Sequence, residues 1–228
     1  MKAQYLVKCQ ACSEENPLFQ HVCRSCGTTI RDRVPSLDLG KVILLFIESP
    51  TDAFARVIQS EQKNYYLFIL LTAFTKIYLT ALVVSNLWEN NQATFILFLL
   101  HFGIVATFYF FISLLVKLKK KKRLIKVRIR DLMAGLSYAL FPQTLGLVFI
   151  FSLEFVVFGE QIFTFNPSPF IIKIGFAYLF LVIEVAVLLW TLILGAKFMR
   201  LYFENIITAI VIGTSVIGLV YLSAINFL

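Results

Sequence analysis

Residues 93–116 read ATFILFLLHFGIVATFYFFISLLV and run directly into KLKKKKRLIKVRIR at 117–130. The first segment contains no Asp, Glu, Lys or Arg and is long enough, at about 1.5 Å per residue, to cross a hydrocarbon layer of about 30 Å. The second carries nine basic residues: Lys117, Lys119, Lys120, Lys121, Lys122, Arg123, Lys126, Arg128 and Arg130. A long apolar block ending in such a run reads as a membrane span with its cytoplasmic flank.

Similar blocks lie on either side, at about 64–86, 132–158, 170–196 and 205–227. The third is interrupted by Pro142, which removes a backbone donor and kinks a helix. The connections 86–92 and 159–169 hold no Lys or Arg, whereas 197–204 holds Lys197 and Arg200. The positive-inside rule therefore predicts a cytoplasmic N-terminus and an external C-terminus. Of the 228 residues, 59% are hydrophobic and 15% charged, and the mean hydropathy is +0.83. A soluble domain of this composition would expose too much apolar surface. The expected fold is an all-α integral membrane protein: a bundle of five transmembrane helices over 64–228, preceded by a small zinc ribbon. The net charge of +8 sits beside the spans, where anionic headgroups lie, and argues for lipid rather than nucleic acid.

All four cysteines fall in the first 26 residues, as two CxxC pairs, Cys9/Cys12 and Cys23/Cys26. The opening MKAQYLVKCQACSEEN has no apolar core of signal-peptide length, so the thiols are expected to face a reducing compartment. Two CxxC turns supply the four thiolates that tetrahedral Zn²⁺ takes in closed, structural sites. His21 is an alternative fourth ligand. Residues 1–34 are read as the ribbon and 35–63 as a linker with two short helices. Ser49 is placed to cap the second, Pro50 suits its first position, and Asp52 favours its positive end. Its face of Ala53, Phe54, Val57 and Ile58 either lies in the headgroup region or packs on the bundle.

The ribbon resembles short zinc ribbons at the N-termini of prokaryotic membrane proteins, with Ser13 where the pattern has its first glycine and Val22 in place of its aromatic. From about residue 40 the chain resembles the Yip (Ypt-interacting protein) domain family. The resemblance is carried by ESPTDAFARVIQ at 48–59, LSYALFPQTLG at 136–146 and WTLILGAKFMRLYFENIITAIVI at 190–212. It implies five clustered spans, with Tyr138 and Pro142 early in the third and Trp190 near the fourth-to-fifth junction. It also implies a role in membrane organisation. The ribbon points to a prokaryotic member in the cytoplasmic membrane, without a Rab partner.

Charges inside spans cost about 2.5–3.5 kcal/mol each near the bilayer centre and should face the bundle. Lys76 and Glu184 both fall near half depth, which predicts that they meet. Glu154 and Lys173, near the outer ends of their spans, either pair across the 159–169 connection or reach water. His101 reads as a hydrogen-bonded packing residue. The chain has no P-loop, GxSxG or HExxH, so no enzyme and no catalytic residue is expected. The sequence favours a non-enzymatic adaptor that presents the ribbon to anionic lipid or an unidentified cytoplasmic protein, and it is compatible with a homo-oligomer. The alternatives are a small transporter or channel using Lys76, Glu184 and His101, and a zinc or redox sensor.

Overall fold

The computed structural model describes residues 6–86, 95–121, 127–164 and 166–227. Lys122, Arg123 and Lys126 of the basic loop lie outside the described residues. Strands β1 (Leu6–Lys8) and β2 (Glu15–Pro17) pair antiparallel, with Val7 opposite Asn16. Helices α1 (Leu39–Glu48), α2 (Pro50–Gln59), α3 (Tyr66–Asn86), α4 (Phe95–Lys121) and α5 (Ile129–Ala139) follow. Then come α6 (Phe141–Leu145), a π-helical segment (Gly146–Phe151), α7 (Ser152–Phe158), a 3₁₀ turn (Gly159–Phe163), α8 (Pro169–Ile172), α9 (Ile174–Arg200) and α10 (Ile206–Phe227). Five helical segments are long and apolar enough to cross a membrane: Tyr66–Val84, Ile96–Leu118, Phe141–Phe163, Ile174–Arg200 and Ile206–Ala224. The chain is thus an all-α, multi-pass membrane protein. Its outward faces are apolar, with Ile96, Val156, Val182 and Ile207 all exposed, as lipid-facing positions should be.

The third span differs from the expected 132–158. Its crossing segment begins at Phe141, and the preceding α5 is a separate helix whose residues from Leu132 to Ala139, save Met133, are buried inside the protein. Pro142 causes the break. It cannot donate to the residue four positions back, so the chain turns at Leu140, whose N–H bonds to the Ser137 carbonyl at 3.0 Å, and restarts with Pro142 in the first turn of α6. The fourth span also shifts. Lys173 ends α8 and precedes α9, and α9 runs through Lys197 to Arg200, leaving a short turn before α10.

The linker helices form where expected. Asp38 caps α1 by accepting from the Lys41 N–H at 3.3 Å. Ser49 stands at the N-cap of α2, but its hydroxyl donates to the Asp52 carboxylate at 2.5 Å, and its backbone carbonyl takes the Asp52 and Ala53 N–H groups instead. The apolar face Ala53, Phe54, Val57 and Ile58 has no exposure and packs on α5 and α9. Of the two linker helices, α1 is the one that leaves apolar side chains, Leu44 and Ile47, facing outward.

Close packing at the heart of the bundle depends on glycine. At the α9–α10 crossing, a Cβ on Gly213 would lie 2.5 Å from the Gly195 carbonyl oxygen, so the two backbones touch. At Gly135 in α5, a Cβ would overlap the Phe198 ring at 2.0 Å.

Candidate metal centre and buried charged cluster

The two CxxC segments fold as matching turns. Ser13 N–H bonds to the Cys9 carbonyl at 2.9 Å, and Gly27 N–H to the Cys23 carbonyl at 3.2 Å. Both closing residues have left-handed backbones, φ 60° at Ser13 and 72° at Gly27. The serine found where the ribbon pattern carries glycine thus adopts the glycine conformation, at a cost of about 1–2 kcal/mol. Beyond each turn, Cys9 N–H reaches the Glu14 carbonyl and Cys23 N–H the Thr28 carbonyl, both at 2.9 Å.

These turns bring the sulfurs of Cys9, Cys12, Cys23 and Cys26 within 4.8 Å of one another. The closest approaches are 3.6 Å for Cys9–Cys26 and 3.5 Å for Cys12–Cys23. A tetrahedron with metal–sulfur bonds of about 2.3 Å has edges of about 3.8 Å, so the four thiols fit one ion. Cys9 and Cys23 are buried, whereas Cys12 and Cys26 face outward. The Cys26 N–H, the Ser25 N–H, the Asn16 amide and the Cys12 thiol lower the Cys23 thiol pKa to about 6, whereas Cys12, despite the Glu14 N–H, is raised by its neighbouring thiols and by burial. Asn16 anchors this arrangement. Its amide donates to Cys23 Sγ at 3.4 Å and to the Glu14 carbonyl at 3.0 Å, and its oxygen accepts from the Arg24 N–H at 3.1 Å. His21 is exposed and stands outside the cluster.

The cysteine domain is tied to the helices. Arg31 donates to the carbonyls of Phe19 and of Gln59 at the end of α2, at 2.9 and 3.1 Å. Arg33 forms a two-pronged pair with Glu61, at 2.5 and 2.9 Å, which holds the Glu61 carboxyl below its ordinary range. Arg128 stacks 4.1 Å over the Phe19 ring and bonds Asp131 at 2.9 Å. Arg128 therefore faces the cysteine domain and Asp131 rather than lipid alone, because its neighbour Asp131 is fully buried and requires cations. Lys63 supplies the second cation, 3.1 Å from Asp131. Its ammonium also donates to the carbonyls of Val57, Ile58 and Ser60, closing the end of α2. Burial lowers the Lys63 pKa to about 8 despite the opposing pull of Asp131. The sequence reading missed Lys63 and Asp131 because each sits just outside a span, where a charge is ordinary. Tyr138 of α5 adds a bond from its hydroxyl to the Asn64 carbonyl at 2.7 Å.

Among the intramembrane residues, the structure brings Lys76 and Glu184 together, with Nζ 2.5 Å from Oε1. It adds a third member, Glu154, 3.9 Å from the same ammonium. Glu154 reaches Lys76 rather than Lys173, whose ammonium bonds the Val157 carbonyl at 2.8 Å. Thr80 accepts from Lys76 at 3.1 Å one turn along α3. Lys76 is 1% exposed and, with Thr80, Glu154 and Glu184, lines a cavity of about 150 Å³. His101 takes no part in this cluster. It is buried, packs edge-on against Phe74 at 4.9 Å, and lies 2.8 Å from Ser223, whose hydroxyl donates to the Val220 carbonyl. Two further polar links cross the bundle, Thr72–Thr144 at 3.0 Å and Gln143–Thr191 at 3.1 Å.

The fold and its sites define a five-span helical membrane protein with a four-cysteine cluster, a possible metal site, at its N-terminus. Compared with protein-family models, curated proteins and solved structures, the chain finds no match.

Proposed function

We propose that the protein is a non-enzymatic, Yip-like membrane adaptor. Its four cysteines hold a structural zinc ion, and its N-terminal domain is presented on the cytoplasmic side to a protein partner or to anionic headgroups. The observation that carries this reading is the attachment of the cysteine domain to the bundle. Arg31 and Arg33 fix it to Gln59 and Glu61 at the end of α2, and Arg128, at the start of α5, stacks on Phe19. A domain so fixed offers one constant surface that includes Arg128, a member of the basic run. The donor set supports zinc, because four thiolates close the tetrahedron and leave no position for a catalytic water. The test is affinity capture from membranes using the full chain and a form lacking residues 1–34. Partners lost with the domain support an adaptor, and an unchanged partner set overturns it.

The cavity at Lys76, Glu154 and Glu184 favours a second reading, a small transporter that uses these intramembrane charges. Flux measured in proteoliposomes and lost on Glu184→Gln supports it. Vesicles no leakier than protein-free controls overturn it.

A further inference from the structure

The cluster has one cation for two carboxyl groups: the Lys76 ammonium stands 2.5 Å from Glu184 and 3.9 Å from Glu154. Glu184 is matched by its 2.5 Å contact with the ammonium. Glu154 is 8% exposed, and its carboxylate makes no hydrogen bond among the described residues. A second carboxylate ionised among apolar walls is costly, and either a proton or one added positive charge removes that cost. The cavity beside Glu154 has room for the bearer of that charge. At about 150 Å³ it matches the size that accepts a benzene ring in a protein core. Its walls include Phe151, Phe158, Phe170 and Phe180, a residue type whose rings attract cations, and Phe151 already carries the Lys76 ammonium 5.6 Å from its ring centroid. A bare metal ion fits poorly, since it needs several oxygen ligands. Here Lys76 already occupies the space between the two carboxylates, and Thr80 is engaged with Lys76.

We infer that the cavity between α3, α7 and α9 is a binding site for a small monovalent organic cation of the quaternary-ammonium type, with Glu154 as its counter-ion and the phenylalanines as its cage. This deepens the second reading by naming a ligand class, yet binding is separable from passage across the membrane.

The probe is tritiated ethyltrimethylammonium, which has six heavy atoms like benzene and a charge that does not titrate, in equilibrium dialysis against the full chain in nanodiscs. The uncharged carbon isostere 2,2-dimethylbutane serves as competitor. The expected result is saturable binding of one probe per chain, not displaced by the isostere. Affinity should fall at least tenfold on Glu154→Gln, and equally on Ala177→Phe, which fills the cavity without touching a charge. Glu154→Gln should melt no lower than wild type, since it removes the unmatched carboxylate. Absence of saturable binding overturns the inference. So does displacement by the isostere, or unchanged affinity in both variants. Saturable binding without flux sustains the site and removes the transporter. Flux of another ion without probe binding removes the site and sustains the transporter.

Discussion

Asp131→Asn tests what joins the linker helices to the bundle. Asp131 and Lys63 have side chains 0% and 1% exposed and stand 3.1 Å apart. At that separation, with an effective dielectric constant of about 20, the attraction is about 5 kcal/mol. The asparagine leaves Lys63 buried with its three carbonyl acceptors but no counter-charge. Arg128 loses the same partner but is 40% exposed and turns to water. Breaking one side of a buried pair costs about 3–5 kcal/mol, and the remaining carbonyls put this case near 3. For a chain of this length, that is a fall in Tm of about 10 °C. Thermal unfolding in detergent at pH 7, followed by intrinsic fluorescence, measures it. The double variant Lys63→Met with Asp131→Leu should recover at least half of the loss, because no unmatched charge remains. The pH dependence follows with a definite sign. The folded-state pKa of Lys63, about 8, lies below its ordinary 10.5, so between these values the unfolded chain holds more protons. Wild-type stability therefore gains a contribution as pH rises from about 8 to 10.5. In Asp131→Asn the rise begins at lower pH, since Asp131 was holding the value up. A single variant within 2 °C of wild type, or a double variant as unstable as the single, refutes this reasoning.

Gly213→Ala should cost about 3 kcal/mol or more in the same melt, since its Cβ would meet the Gly195 carbonyl oxygen at 2.5 Å and backbone cannot move aside cheaply. Ser13→Gly should raise the stability of the cysteine domain by about 1 kcal/mol by relieving the left-handed backbone at φ 60°, read by hydrogen exchange of residues 6–30. Lys76→Met, which leaves two carboxylates with no cation, should lower membrane expression more than Glu184→Gln, which leaves Lys76 with Glu154, and Glu184→Gln added to Lys76→Met should restore part of the loss. Purified wild-type chain should carry one zinc ion by elemental analysis, and Cys23→Ser should carry less than a tenth of that.

Composition and block length were enough to read five helical spans, because a hydrocarbon solvent allows few alternatives to a 20-residue apolar helix. The cysteine spacing likewise located its own cluster, since each CxxC turn is local. The depth match of Lys76 and Glu184 was legible for a related reason: a lone charge at half depth requires a partner, and few candidates share its level.

Other features depended on how separate segments meet. α5 reads as the start of a span by hydropathy, yet it is a buried helix ahead of Phe141, because apolar residues suit protein interior and lipid alike. Glu154 as third member of the intramembrane cluster, Arg128 stacked on Phe19, and Lys63 facing Asp131 join residues 78, 109 and 68 positions apart. Sequence alone determined that five blocks are long and apolar enough to cross a membrane and which sulfurs lie close, since both follow from local chemistry. Only the tertiary structure decided which charges share a site and where a cavity remains, since these depend on the rotation and crossing of helices that hydropathy cannot distinguish.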